Sequence, residues 1–510
     1  MSLIGKAFQP LVDKIWYGTR GVKKKTIKHM LPRKHGDRSF YAGMVDRLTN
    51  AFTGTNLSIN ESLKSSLNKM RSRSRELVHD NDYGKKYISM VKTNVVGAKG
   101  VKLQASSINS AGKPDKLDNK AIEKSWHDWC MSENCTVTGI LSFLDVQHIT
   151  IGSVASDGEC IVRIVYGNAY KYGFALQLIE ADRLDTTLNL DPIDNGNKIV
   201  MGVEMDSFDK PVAYHILTQH PGDQIRKYGD KQYMRLLAKD VIHLFKSERV
   251  GQARGIPWMH SSMRRLDMIG GYEEAELVAA RAGASKMGFY YTDTGTEYKG
   301  DAATTDGELI TEAEPGSFEQ LPENIRFEAY DPQHPTGAYN YFMTGVLKGA
   351  AAGLDVSYTG FTGDLTAVNY SSIRAGLIEE RENWRTVQGW YVDHFMKEVY
   401  NLWLSAALTR GLIVNETGVT LPLSKKDKFM TVRWQTRGWA WVDPLKDQQA
   451  NELAVSNGHK TNSEVVAQQG NDLEEIYQQL ARERDLATDY GLDFTGANDA
   501  STDKTQDPKV

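Results

Sequence analysis

The stretch GLDVSYTGFTGDLTAVNYSSIRAGLIEERENW, Gly353–Trp384, decides how this chain is read. Its first half is rich in Gly, Thr, Ser and Asp and holds no Lys or Arg between Gly353 and Tyr370. Its second half opens a long amphipathic repeat. Ile373, Leu377, Trp384, Val387, Tyr391, Phe395, Val399, Leu402 and Ala406 fall three, four or seven apart, one continuous apolar stripe of a helix. The spacing predicts a helix from Ser371 to about Arg410 with Asn369 as its N-cap. At about 1.5 Å per residue such a helix is about 60 Å long. That length implies an elongated subunit or a helix bent around something. No catalytic set of side chains appears in the stretch.

Toward the N-terminus, AYNYFMTGVLKGAAAG reads as a shorter helix crowded with Gly and Ala. Residues 287–332 read as strand-like and turn-rich, and Trp258 to about Ala284 as a helix with Met259, Met263, Leu266 and Ile269 on one face. From Gly158 to about Phe245 the apolar period becomes two. ECIVRIVYG, FALQLIEADRL, KIVMGVEMD, PVAYHILTQ and DVIHLFKS predict short strands of a mostly antiparallel region. Asp209-Lys210-Pro211 marks a hairpin between the third and fourth of these. Upstream, helical spacing appears at Leu63, Leu67 and Met70 and again at Tyr83, Tyr87, Ile88 and Val91, ended by Gly97 and Gly100. VKLQA then alternates like a strand, and helices follow around Lys120–Cys130, with Trp126 and Trp129 on one face, and Leu141–Ile151. Beyond WAWVDPLKDQQA, helical segments run to about Tyr490, and the last twenty residues are polar, acidic and predicted to be disordered.

At 510 residues the chain exceeds the size at which one core keeps growing, so more than one packed region is expected. Forty per cent apolar and 25% charged residues place it among soluble globular proteins. A net charge of −4 gives no global attraction for nucleic acid. Residues 1–38, however, hold ten Lys or Arg against Asp13 and Asp37, a local +8. This basic arm, with Lys23, Lys24, Lys25, Lys28, Arg33 and Lys34 at its centre, suits phosphate contact or docking on a partner equally. Three cysteines, Cys130, Cys135 and Cys160, make no disulfide framework and point to a reducing compartment. No apolar run reaches the ~18 residues of a membrane helix, and the first residues lack the order of a signal peptide. The expectation is a soluble protein, intracellular when made.

Most signatures of catalysis are missing. GVLKGAAAG has glycines and Lys348 but not the order of a phosphate loop, and it reads as a helix using small residues for close approach. There is no Gly-x-Ser-x-Gly elbow and no His-Glu-x-x-His. Cys130 and Cys135 have no matching pair and read as small hydrophobes rather than zinc ligands. Glu273-Glu274 and Glu379-Glu380 read as solvated helix faces rather than metal sites. Asp191, Asp194 and Asn195 read as a turn rather than a calcium loop. The aromatic residues of the long helix read as core rather than a base-stacking platform. No cofactor and no metal are called for.

Several stretches in one order along the chain carry a resemblance. They are RSRELVHDNDYGKKYISMVKTNVVGAKGVKLQ (73–104), LQLIEADRLD (176–185), GVEMDSFDKPVAYHI (202–216), HPGD (220–223), DVIHLFKSERVGQARGIPW (240–258), YEEAELVAARAGA (272–284), the Gly353–Trp384 stretch and WAWVDPLKDQQA (439–450). Over roughly residues 60–490 the chain resembles the portal proteins of tailed bacteriophages, in particular the lambda-type family. The resemblance implies an α+β portal fold assembled as a dodecameric ring. It places a basic arm at 1–60, an α/β wing at 61–255 and stem helices at 256–285 and 334–352. A mixed α/β clip falls at 286–333, a channel loop at 353–370, and the long wing helix with following strands at 371–439. A helical crown takes 440–490 and a tail 491–510.

The implied function is a conduit for DNA in packaging and ejection at one capsid vertex of the virion. It also implies a platform for the terminase motor and a nucleator of procapsid assembly. The implied partners are further copies of the chain, double-stranded DNA held transiently, the terminase large subunit, a head-tail connector or neck protein, and the major capsid and scaffold proteins. No membrane is involved, and assembly belongs to the cytoplasm of the host bacterium. Clip acids Glu308, Glu312, Glu314 and Glu319 would meet the motor. The channel loop would comprise Asp355, Val356, Ser357, Tyr358, Thr359, Gly360, Phe361, Thr362, Gly363, Asp364, Leu365 and Thr366, mobile and free of cations so that DNA slides past it. The alternatives are an ordinary surface loop for that segment, and for the whole chain a nucleic-acid-processing enzyme or a monomeric DNA-binding adaptor.

Overall fold

The two upstream helical repeats separate cleanly in a computed structural model, which describes residues 54–193, 196–223, 231–284, 288–292, 325–329, 339–366, 369–439 and 444–492. Residues Ile59–Val510 form one unit and Met1–Ser58 another. Within the larger unit, α1 (Ile59–Asp80) gives way to α2 (Asp82–Val95) at Asn81, whose side chain accepts the Gly84 N–H and caps the second helix. Strand β1 (Lys102–Ala105) follows, then α3 (Lys116–Trp129) and α4 (Phe143–Asp157). A reciprocal Ser142–Asp145 capping box starts α4, and Gly158 ends it in the left-handed region at φ 92°.

The period-two region forms β2 (Glu159–Tyr166), β3 (Phe174–Ile179), β4 (Lys198–Val200), β5 (Val203–Met205), β6 (Pro211–Leu217), β7 (Tyr233–Leu237) and β8 (Val241–Phe245). Two antiparallel sheets result, in the orders β3-β2-β8 and β4-β5-β6-β7. KIVMGVEMD is not one strand, as its alternation predicts, but a hairpin. Met201 at φ 47° and Gly202 at φ 84° make the two-residue turn, a geometry that apolar spacing does not reveal. The sequence reading also passes over β7, which pairs with β6 from Ala213↔Leu237 to Leu217↔Tyr233.

Helix α5 (Met263–Ala284) begins five residues later than the pattern suggests. Beyond it lie the hairpin strands β9 (Gly288–Thr292) and β10 (Ile325–Ala329), and then α6 (Tyr339–Gly353) and the single turn α7 (Tyr358–Thr362). The long helix is present as α8 (Tyr370–Tyr391), a π turn at Val392–Met396 and α9 (Lys397–Thr409). Asn369 caps it as expected, accepting the Ser372 N–H at 2.9 Å. Strand β11 (Val432–Gln435) returns to pair with β1, setting Leu103 opposite Trp434. Three helices close the chain: α10 (Pro444–Ser456), α11 (Asn462–Gln468) and α12 (Leu473–Asp489).

The larger of two cores is aromatic. Trp126 lies 5.1 Å from both Trp129 and Trp403, 5.4 Å from Phe143 and 5.6 Å from Tyr400, ring centre to ring centre. These rings join α3, α4 and α9, and they show why the long-helix aromatics cannot stack on bases: Trp384, Tyr391 and Trp403 are buried. The second core gathers Leu63 and Leu67 of α1 with Met201, Val203 and Ile216 of the four-stranded sheet. Truncation of Trp403 to Ala removes a buried indole from the aromatic cluster. It is expected to cost about 3–5 kcal/mol, read as a lower urea midpoint at unchanged slope, while Val414→Ala at the surface shifts the midpoint little.

Candidate functional site

Between α6 and α8 the chain makes a tight, acidic, well-fastened turn. Leu354 and Val356 N–H groups donate to Ala350 and Ala351 carbonyls at 3.1 Å, closing α6. Asp355 takes φ 55°, and Asn383 Nδ2 of α8 donates to its carbonyl at 2.8 Å. The Ser357 side chain caps α7 by accepting the Gly360 N–H, and its hydroxyl donates to the Glu380 carboxylate. Phe361 is 1% exposed and packs 5.6 Å from the Tyr83 ring of α2. Gly363 ends the turn at φ 76°. Asp364 then accepts from the Tyr358 hydroxyl at 2.8 Å and from the Thr366 N–H and hydroxyl at 2.9 and 2.6 Å. The Thr366 bonds and then the Tyr358 bond hold its carboxyl below the usual range.

The portal resemblance implies a mobile loop over Asp355–Thr366, and the structure shows how its side chains are placed. Val356 and Phe361 belong to the core. Ser357, Tyr358, Thr359, Gly360, Thr362 and Asp364 are half-buried, and Asp355, Gly363, Leu365 and Thr366 reach solvent. The Leu354, Val356 and Phe361 side chains account for that placement, since burying them outweighs the freedom that the three glycines allow. Glu380 is not part of a purely solvated face either. It braces Ser357 and accepts the Trp384 indole N–H at 3.0 Å. Glu273 likewise accepts the Tyr83 hydroxyl at 3.3 Å. Arm residues Lys23, Lys24, Lys25, Lys28, Arg33 and Lys34, clip acids Glu308, Glu312, Glu314 and Glu319, turn residues Asp194 and Asn195, and residues 493–510 lie outside the described residues.

The structure also contains a buried ionic cluster that sequence reasoning missed. Glu159, at the start of β2, is fully buried. It accepts from Arg71 of α1 at 2.8 Å, from His243 of β8 at 3.0 Å, from the Gly255 N–H at 3.0 Å and from the Arg254 guanidinium. Arg254 also donates to the Leu184, Met201 and Ala181 carbonyls at 2.9, 2.7 and 3.2 Å. Burial opposes ionisation of Glu159, but Arg254, the His243 bond and Arg71 outweigh it and hold the carboxyl well below its usual range. Gly158 and Gly255 cross backbone against backbone at this point, and a Cβ on either would collide with the other strand. The signal for this cluster, an Arg, a Glu and an Arg far apart in sequence, has no local pattern.

The backbone that follows Gly255 carries separate hydrogen bonds to α4 and to the end of α6. Trp258 N–H donates to the Ala155 carbonyl at 3.0 Å. Ser262 and Ser261 hydroxyls then donate to the Ala350 and Gly353 carbonyls at 3.1 and 2.5 Å, fixing the end of α6 from which the turn departs. Among the described residues no group of three His, Cys, Asp or Glu is placed to hold a metal ion. No described helix is long and apolar enough to cross a membrane.

The fold and site thus define an α+β protein whose distinguishing part is a cation-free turn set between a small-residue helix and a long one. The model of the phage portal protein, lambda family, matches residues 45–388, and the chain belongs to that family. It is 31% identical over 452 residues to a probable portal protein of Halomonas phage phiHAP-1, covering 88% of this chain and 86% of that one. It is 21% identical over 488 residues to portal protein B of Escherichia phage lambda, covering 88% and 89%. Among solved structures it is similar to a chain in the virion of a native gene transfer agent particle, at 11% identity and a TM-score of 0.42, over 83% of this chain and 98% of that one. Its function is that of a phage portal protein.

Glu159→Gln leaves two buried guanidinium groups facing a neutral amide and is expected to destabilise the protein by about 3–5 kcal/mol. Acid has a related effect. Burial disfavours ionised Asp185, but bonds from Lys231, Tyr233 and Thr187 lower its pKa from 3.8 to about 2. Because Asp185 and Glu159 are both depressed, their stabilisation is complete above the ordinary carboxylate range. It is lost as pH falls through about 4 toward 2. Urea melts at pH 7, about 5.5 and 3 are expected to show that loss only in the last step.

Proposed function

We propose that copies of this chain close into a dodecameric ring at one capsid vertex, with Asp355–Thr366 lining the axial DNA channel. Charge is the observation that carries the assignment. From Gly353 to Tyr370 there is no Lys or Arg, while Asp355 and Asp364 are anionic. Each cation on a channel wall would release counterions from a phosphate and add affinity, an effect multiplied around a ring. A wall without them lets a polyanion slide in either direction. Anchorage by Phe361, Ser357 and Asn383 lets the turn bear on moving DNA without unravelling, while Gly363 and Leu365 face outward. Solvent-facing Met268, Leu277 and Val278 on α5 and Tyr341 on α6 supply apolar surface for neighbouring copies.

In this reading the region 256–285 and 334–352 is the stem, 286–333 the clip and 440–490 the crown. The chain supplies no catalysis. A terminase large subunit docked on clip acids Glu308, Glu312, Glu314 and Glu319 drives packaging, and a neck protein replaces it before ejection. The basic arm meets DNA, capsid or scaffold during procapsid assembly in the host cytoplasm.

Electron micrographs of purified protein are expected to show rings with an open centre, and solitary particles would overturn the assignment. Asp364→Lys is expected to leave rings intact and reduce DNA packaged per particle, with recovery as salt is raised. Packaging equal to the unaltered protein at all salt concentrations would remove Asp364 from the channel. Glu312→Lys with Glu314→Lys is expected to weaken co-sedimentation of the motor with the rings, without affecting ring formation.

A further inference from the structure

Trp439 collects cationic side chains between α8 and the C-terminal helices. The guanidinium carbons of Arg437, Arg385 and Arg381 lie 5.5, 5.8 and 5.9 Å from its ring centre. The indole is held in place. Its N–H donates to Asn94 Oδ1 at 3.1 Å, and its backbone N–H donates to the Gln468 carbonyl at 3.2 Å. Gln388 Nε2 donates to the Arg437 carbonyl at 3.0 Å, fixing the neighbouring backbone. Gly438 runs so close to the Gln468–Gly470 backbone that any Cβ there would collide. This is a constructed arrangement rather than a chance cluster of surface side chains.

Two adjoining cavities of about 250 and 670 Å³ open beside it. Arg374, Arg381, Arg385 and Lys460 line the smaller, and Asp447 is the one carboxylate among its described lining residues. Asp447 is already paired with Arg374 at 2.9 Å. The larger is lined by Arg385, Arg437, His459 and Lys460, with the carboxylates Asp393 and Glu464. Those two are engaged elsewhere: Asp393 pairs with Lys397 at 2.6 Å, and Glu464 accepts the Thr461 N–H at 2.8 Å in a capping box. Burial first, and then neighbouring guanidinium charge, lower the pKa of Arg381 and of Arg437, while Asp447 and Glu380 act against the shift at Arg381.

We infer that this pair of cavities binds a phosphate group, with Arg385 and Lys460, which line both, reaching its oxygens and Trp439 as the platform for Arg385. A guanidinium fork matches phosphate oxygens in pairs, and several forks suit an anion with oxygens on every side better than a planar carboxylate. An indole face keeps the guanidinium groups in position at little desolvation cost. The phosphate can come from a free polyphosphate or from a DNA backbone. The cleft lies within one copy of the chain, so the inference does not depend on ring formation.

Arg385 is the residue to change, since its side chain is half exposed and its ion-pair partner is the exposed Glu382 on the same helix. Binding of tripolyphosphate and of a short DNA duplex to the full chain would be measured by titration over a range of salt. Circular dichroism would check that each variant is folded. Arg385→Gln is expected to weaken at least one probe about tenfold, and for the duplex to make the log–log salt slope shallower by about one. Arg385→Lys is expected to restore part of the loss, and Lys120→Gln, at an exposed position on α3, to change neither probe. A response by tripolyphosphate alone assigns the site to free phosphates, and a response by the duplex assigns it to DNA. If Arg385→Gln and the unaltered protein bind both probes alike, the inference is overturned and the cluster is neutralised within the protein.

Discussion

A carboxylate taken wholly out of water must be surrounded by donors, and Glu159 meets that demand by drawing three other parts of the chain to one point. Arg71 comes from α1, His243 from β8, and Arg254 with the Gly255 N–H from the segment leading to α5. Such a cluster adds little net stability over an apolar packing, yet it is costly to break and hard to satisfy in any other register. Arg254 extends the constraint through its bonds to the Leu184 and Met201 carbonyls, which tie the three-stranded sheet to the four-stranded one. From Gly255 the same backbone continues through Trp258 to the serines that hold the end of α6. The position of the acidic turn is therefore set from the buried charge outward.

That turn combines two requirements that usually conflict. A wall for a moving polyanion should not hold it, which favours few cations and exposed small residues. A wall under load should also keep its shape, which favours buried apolar anchors and satisfied hydrogen bonds. The chain separates the two by position. Val356 and Phe361 face the core, while Gly363 and Leu365 face away from it. Asp364 is held by hydrogen bonds from Tyr358 and Thr366, with the Lys348 ammonium of α6 above the Tyr358 ring. Three guanidinium groups gather instead around Trp439.

Much of this was legible in the sequence where the signal was periodic. The stripe from Ile373 to Ala406 and the Asn369 cap located the long helix almost to the residue. The alternating segments marked five of the strand positions, and the ordered stretches from Arg73 to Ala450 pointed to the family. The failures have specific causes. Met201-Gly202 turns a strand into a hairpin through backbone dihedrals that apolar spacing does not encode. Phe361 folds a glycine-rich segment onto the core because its partner Tyr83 is remote in sequence. Arg71, Glu159 and Arg254 are spread over about a third of the chain, so only the folded geometry reveals that they share one site. Trp439 stood out only as part of a stretch that carries the family resemblance, and nothing local announced the guanidinium groups that α8 brings to it.

The pairing of β1 with β11 has a consequence for biosynthesis. Leu103 and Trp434 are opposite one another in space but separated by most of the polypeptide. At about 5–20 residues per second, a ribosome needs roughly 15–65 s between making the first strand and the second. During that interval Leu103 lacks its cross-strand neighbour and Trp126 lacks the Tyr400, Trp403 and Trp434 rings, which leaves apolar surface on the nascent chain until the far segments arrive.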